Sequence, residues 1–236
     1  MPPVEHRPNL LLETLPEAEV EALRPHLEVV NLEKRAILIA NGAPVTHVYL
    51  PHAGAVSMVV GLSDGQMVRV AMIGRDGIIG TSAALGDEIS MTEAVVALPG
   101  TASAIEVGVL RAAANRSSAL RRLLARHEQA LHVHAQQSAA CNACHSVEER
   151  LSRWLLCARD LHDGDTLPLT QEALARAIGV QRNAVSMVAH ALREAGIISY
   201  SRGKIEIRDL EGLRATSCEC YDAVRARRER LIRAPH

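Results

Sequence analysis

Two groups of residues in this chain have the types and spacing to do chemistry. Cys141-Asn142-Ala143-Cys144-His145 follows the C-x-x-C-H pattern of c-type haem attachment. On a helix Cys141, Cys144 and His145 stand at i, i+3 and i+4 and share one face. With His127, His132 and His134 upstream, the run also invites a metal site or a redox-active thiol pair. Haem attachment belongs to an exported, oxidising setting, and the N-terminus MPPVEHRPN lacks the basic and hydrophobic regions of a signal peptide. A zinc or iron–sulfur site shared about a two-fold axis, thiol-redox sensing and plain buried thiols stay open. The plain reading is preferred, because buried cysteine commonly packs as a small hydrophobe. Cys218 and Cys220, flanking Glu219, take that reading too, since nothing near them in sequence completes a site.

The second group is Gln181, Arg182, Asn183 and Ser186. Arginine forks onto the guanine edge and asparagine pairs with adenine, so these types suit DNA bases in the major groove. Their placement follows from the apolar pattern. Leu174, Ala177 and Ile178 recur at helical spacing, Gly179 interrupts, and Val185, Val188 and Leu192 resume the period. This predicts two short helices around a tight turn, the first capped by Thr170 with Glu172 in its first turn. Ile197, Ile198 and Tyr200 then predict a strand, 201–204 a turn, and Ile205 and Ile207 a second strand. Helix, turn, helix and basic hairpin together read as a winged helix-turn-helix, with Arg202 and Lys204 where a wing meets phosphates.

On these residues the unit resembles the DNA-binding domain of the cyclic-AMP receptor protein and fumarate-nitrate regulator (Crp/Fnr) family, and the order of the other parts extends the resemblance over essentially the whole chain. The resemblance implies that the second helix is the recognition helix and that Arg182, Asn183 and Ser186 fall on DNA-reading positions. Many relatives carry Glu where Asn183 stands and a further Arg where Met187 stands, so this chain departs from the family at positions that choose the operator.

Composition agrees with such a protein. The chain has 236 residues, 48% hydrophobic, enough for packed cores, and no window of about 18 apolar residues. With Trp154, three Tyr and no Phe, base stacking on aromatic platforms is disfavoured. The net charge of −1 hides an asymmetry: residues 1–115 hold 7 Lys or Arg against 13 Asp or Glu (7 − 13 = −6), residues 116–236 hold 19 against 14 (19 − 14 = +5). The half with the helix-turn-helix is the basic half. Five cysteines without a signal peptide argue for reduced thiols.

The remaining elements must position these groups. Thr14-Leu15-Pro16-Glu17 has the form of a capping box, with Val20, Leu23 and Leu27 following at helical spacing. Short β-branched runs at 29–30, 37–39, 45–50, 55–60, 67–73, 94–97 and 102–105 predict a small β-roll, with turns at Asn41-Gly42, Gly54, Asp64-Gly65, Gly74, Gly77 and Pro99-Gly100. Residues 117–144, free of Gly and Pro, predict a helix of roughly 40 Å, longer than a small core needs. It reads as a dimerisation helix with Leu131, His132, Ala135, Ala139 and Asn142 near the seam. Ser146 to Glu149 is a second capping box, which puts the hinge at 144–146. Asp209 caps a last helix running through Leu210, Leu213, Cys220 and Val224 into an arginine-rich, solvated end at 225–233.

The family resemblance implies that the β-roll is a jelly-roll effector domain with a phosphate-binding cassette: a glycine-rich loop, then an Arg-Ser pair. Here the loop reads GRDGIIG over 74–80, with Gly77 and Gly80 kept, but Thr92 and Glu93 stand at the Arg-Ser position. A carboxylate there repels phosphate, so the effector is expected not to be a cyclic nucleotide, and no cofactor is assigned. The sequence holds no P-loop, G-x-S-x-G or H-E-x-x-H pattern, and an enzyme is not expected.

The expectation is thus an α+β chain: a β-roll effector domain over 1–116, a dimerisation helix and hinge over 117–145, and a winged helix-turn-helix domain over 146–236. Its expected partners are double-stranded DNA, a second copy and RNA polymerase, in the cytoplasm and away from membranes. The alternatives are a redox- or metal-responsive regulator sensing through Cys141, Cys144 and His145, and, more remotely, a thiol oxidoreductase.

Overall fold

The computed structural model describes residues 9–63, 67–86, 88–162, 164–201 and 203–233. After a 3-10 turn at Leu12–Thr14 the chain forms α1 (Glu17–Leu23), a second 3-10 turn (Arg24–His26), β1 (Glu28–Leu32), β2 (Ile37–Ile39), β3 (His47–Gly61), β4 (Met67–Ile73), α2 (Thr81–Leu85) and β5 (Glu93–Glu106). Then come α3 (Val107–Arg116), α4 (Ser118–Cys144), α5 (Val147–Asp160), β6 (Thr166–Leu167), α6 (Gln171–Ile178), α7 (Arg182–Glu194), β7 (Ile198–Ser201), β8 (Lys204–Ile207), α8 (Leu210–Ala215) and α9 (Cys220–Arg233). In the first half β1, β5, β3 and β4 pair in that order, antiparallel, and β2 also pairs with β5. In the second half β8 lies between β6 and β7.

Three expectations are corrected. Thr14 does not cap α1: its hydroxyl donates to Leu11 O, and the N-cap is Pro16. A residue before proline is pushed out of the α region, and Leu15 is accordingly extended, with φ −80° and ψ 153°, so a helix can begin only after Pro16. Gly54 and Pro99-Gly100 are not turns between strands. They sit inside β3 and β5, where the register between the two shifts. Gly54 has φ +84°, and a Cβ on Gly100 would lie 2.0 Å from Ala53 O, so paired glycines let two long strands bend together without separating. The C-terminal helix is two: α8, capped by Asp209 through Gly212 N–H at 2.9 Å, and α9. The Asp64-Gly65 turn lies outside the described residues.

The long helix ends where the second capping box begins. His145 is extended at φ −107° and ψ 150°, Ser146 Oγ accepts from Glu149 N–H, and Glu149 Oε2 accepts from Ser146 N–H at 2.8 Å. One apolar core joins Leu11, Leu32, Ile79 and Ile105 of the β-roll to Leu120 and Leu124 of α4, and also takes in Leu231 of α9. The other joins Leu155, Leu174, Val185, Leu192 and Ile205 to Ala55, Met72 and Leu98 of the sheet. Each fully buried leucine or isoleucine contributes about 1.5–3 kcal/mol. Both cores therefore bind the two halves to each other. Among the described residues no helix is long and apolar enough to cross a membrane.

Candidate nucleic-acid interface, effector loop and cysteine cluster

Thr170 Oγ1 accepts from Ala173 N–H at 3.1 Å and starts α6. Gly179 ends it in the left-handed region, at φ 64° and ψ 46°, a conformation that costs glycine little. Gln181 is the N-cap of α7. Val185, Ala189 and Leu192 turn inward and are almost fully buried, which leaves Arg182, Asn183, Met187 and His190 on the outer face. Gln181, Arg182 and Asn183 are exposed, and Met187 beside them is 74% exposed. Ser186 is placed differently: its hydroxyl donates to Gln171 Oε1 at 2.8 Å and ties α7 to α6. Thr170, Arg182, Gly203 and Lys204 line one groove of about 410 Å³ between the start of α7 and the wing. Arg202 lies outside the described residues.

Sequence reasoning missed Arg35. It comes from the turn between β1 and β2, adopts a positive φ of 71°, and lines the same groove. Its neighbour Lys34 donates to Pro168 O at 2.5 Å just ahead of α6. Nothing local marks these two residues, because their contact spans more than 130 positions of chain.

The effector loop is closed by the protein's own groups. Ile78 N–H donates to His127 Nε2 at 3.0 Å, and Thr81 Oγ1 lies 3.2 Å from His127 Nδ1. Burial holds His127 down to about 4, partly opposed by Asp76, so the ring is neutral and able to accept. Asp76 forms a buried ion pair with Arg228 of α9. Burial works against the Arg228 charge, but Asp76 and its hydrogen bond outweigh it and the pKa is raised. The arginine-rich end is therefore not merely solvated, as the sequence suggested: Arg228 is docked, and Arg126 donates to Leu231 O at 3.2 Å.

Nor do the four loop candidates converge. Gly77 lines a cavity of about 320 Å³ between the loop, α4 and α9. Glu93 lines another, of about 290 Å³, with Lys34, Arg35, Arg69 and Trp154. Gly80 packs near Ile39 and Val45, and Thr92 folds back on Ser90 Oγ. The residues do not fit a cyclic nucleotide held in the family's manner, because the loop N–H at Ile78 is already engaged and the second half of the cassette opens on a different cavity. In that second cavity the Arg69 guanidinium lies over the Trp154 ring, 4.6 Å from its centroid, and joins β4 to α5.

The cysteines also regroup. Cys141, His145, Cys218 and Cys220 place one donor atom each within 4.8 Å of one another, and the three sulfurs are buried. Cys144 is exposed and stands apart. The sequence reading put Cys144 in the set and left Cys218 and Cys220 out. Joining residues 77 positions apart required the return of α9 along α4, which no local pattern displays.

A bent antiparallel roll, a long helix and a winged helix-turn-helix define a two-part regulator with a DNA-reading end. The Crp-like helix-turn-helix domain family matches residues 149–216, and the cyclic nucleotide-binding domain family matches residues 29–117. The chain belongs to the Crp/Fnr family of transcription regulators. Solved structures share this fold. FixK2 from Bradyrhizobium japonicum is 19% identical with a TM-score of 0.70, covering 81% of this chain and 98% of its own. A Crp/Fnr-family transcriptional regulator from Thermus thermophilus is 23% identical with a TM-score of 0.66, covering 80% and 98%. The c-di-GMP-responsive regulator CLP of Xanthomonas campestris is 16% identical with a TM-score of 0.65, covering 81% and 99%. No curated protein is significantly similar to the chain in sequence.

Proposed function

We propose that the chain acts as a homodimer on a pseudo-palindromic operator, reading bases with Gln181, Arg182 and Asn183 and holding phosphates with Thr170, Lys204 and Arg202. The observation that carries this is the exposure of those three side chains at the N-terminus of α7 while Val185, Ala189 and Leu192 anchor its opposite face. Ser186 supports the reading helix from behind through Gln171. Dimerisation through α4 is supported by its length and by an outward stripe of His132, Gln136, Ala139 and Ala143, whose small residues admit a second helix closely. Two recognition helices on one dimer would enter successive major grooves about one helical turn apart.

The division into an effector region to 116, a helix and hinge to 145 and a DNA-binding region beyond follows the helix breaks at Ser117 and His145. The effector is not a cyclic nucleotide on this reading, because the loop is closed and Glu93 stands where phosphate would need a cation. The protein works in the cytoplasm with RNA polymerase as its downstream partner, and it regulates rather than catalyses. Selection of bound sequences from a random DNA pool with the purified chain tests it. A palindrome with half-sites about 10 base pairs apart is the expected product. No enrichment over the starting pool would overturn the proposal, and calorimetry with cyclic AMP and c-di-GMP showing tight binding would overturn the effector part alone.

A further inference from the structure

The cysteine cluster is not used by DNA recognition, and its composition is unusual for packing alone. Cys141, Cys218 and Cys220 form an apolar cluster of their own, separate from both cores. The fourth member, His145, turns Nδ1 toward the sulfurs, 3.7 Å from Cys220 Sγ. Its other nitrogen, Nε2, lies 3.3 Å from Glu219 Oε2. We propose that Cys141 Sγ, Cys218 Sγ, Cys220 Sγ and His145 Nδ1 bind one zinc ion, which clamps the end of α4 to the start of α9.

The geometry matches a single tetrahedral ion. Zn–S bonds of about 2.3 Å put two sulfurs about 3.8 Å apart and Zn–N bonds of about 2.0–2.1 Å put sulfur and nitrogen about 3.5 Å apart. Cys141 and Cys218 sulfurs are 3.6 Å apart, and no pair of the four donor atoms exceeds 4.8 Å. That span leaves no room for an iron–sulfur cluster between them. Three thiolates and an imidazole make the closed donor set of structural zinc sites. The groups around it are also those a zinc site uses: Glu219 Oε2, 3.3 Å from His145 Nε2, favours a proton on that nitrogen and so leaves Nδ1 free to ligate, and Gln137 Nε2 donates to Cys220 Sγ at 3.0 Å. On binding, the three thiols release three protons to solvent, four metal–ligand bonds form, and nothing is oxidised.

Cys141 lies in the last turn of α4 and His145 is the extended residue that ends it, so the ion would sit at the hinge. Cys218 stands just before α9 and Cys220 begins it, and Arg228 of the same helix holds the glycine-rich loop through Asp76. One ion thus fixes where α9 lies against both halves.

The test is metal analysis of the full chain purified without chelator, followed by cobalt(II) replacement. Wild type and Cys144→Ser should each carry one zinc per chain, and Cys141→Ser and Cys220→Ser should lose at least nine-tenths of it. Cobalt(II) in wild type should give the strong visible bands of a tetrahedral, thiolate-ligated ion, a readout that needs no variant to fold. Glu219→Gln, at an exposed side chain, should weaken zinc on the order of tenfold. A natively folded wild type without metal, an octahedral cobalt spectrum, iron with labile sulfide, a Cys141–Cys218 disulfide, or metal lost only from Cys144→Ser would each overturn the site. Unchanged affinity in Glu219→Gln would overturn ligation through Nδ1. DNA binding is not a readout, so failure of the operator proposal leaves this result standing.

Discussion

The effector loop and the start of α7 both gather polar groups at a turn, and they differ in whether those groups already have partners. At the loop, Ile78 N–H, Thr81 Oγ1 and Asp76 are satisfied by His127 and Arg228. At α7, Gln181, Arg182 and Asn183 are left open to solvent. A buried polar group without a partner costs about 1–3 kcal/mol, so the protein seals the first site internally, whereas exposed groups at the second wait for a partner from outside. The comparison teaches that one glycine-rich turn can be closed by the protein's own side chains while a helix start elsewhere in the same chain keeps its polar groups open.

Breaking the seal gives the largest expected effect. Asp76→Ala leaves the mostly buried Arg228 charge unpaired and should lower unfolding free energy by about 3–5 kcal/mol in urea titrations. A loss below 1 kcal/mol would mean that the pair does not hold the loop. Next is pH. His127 is neutral when folded down to about 4, against about 6.5 unfolded, so between those values the unfolded state binds more protons. Stability should therefore fall as pH drops from 6.5 toward 4, by up to about 3 kcal/mol, and His127→Gln should flatten that dependence. The exposed site is tested by smaller changes. Arg182→Ala should lose about 1–3 kcal/mol of specific operator binding, with non-specific DNA bound as before. Lys204→Ala should weaken all DNA alike and reduce the slope of log affinity against log salt by about 0.9. If Arg182→Ala instead lowers affinity for all sequences equally, it holds phosphate, and the contrast between the two residues disappears.

What could be read beforehand follows the range of the interactions. The helix-turn-helix was legible because Leu174 to Leu192 keep a 3.6-residue period and Gly179 breaks it where a left-handed residue is needed. The second capping box was legible because both partners lie within four residues. Gly54 and Gly100 misled because a glycine that permits a bulge looks in sequence like one that permits a turn; only the pairing of β3 with β5 separates the two. The docking of Arg228 on Asp76, of Lys34 on Pro168 and of Cys218 on Cys141 joins distant stretches, and no residue carries a local sign of it.

Leu231, in the last described turn of α9, is 6% exposed inside the core built on Leu11, Leu32 and Leu124. During synthesis the β-roll leaves the ribosome with that position empty, and it is filled only after the DNA-binding region has been made. The first domain is thus finished by the last helix, and a chain cut short before it would present an apolar gap to the cell's quality-control machinery even though both of its recognisable domains were present.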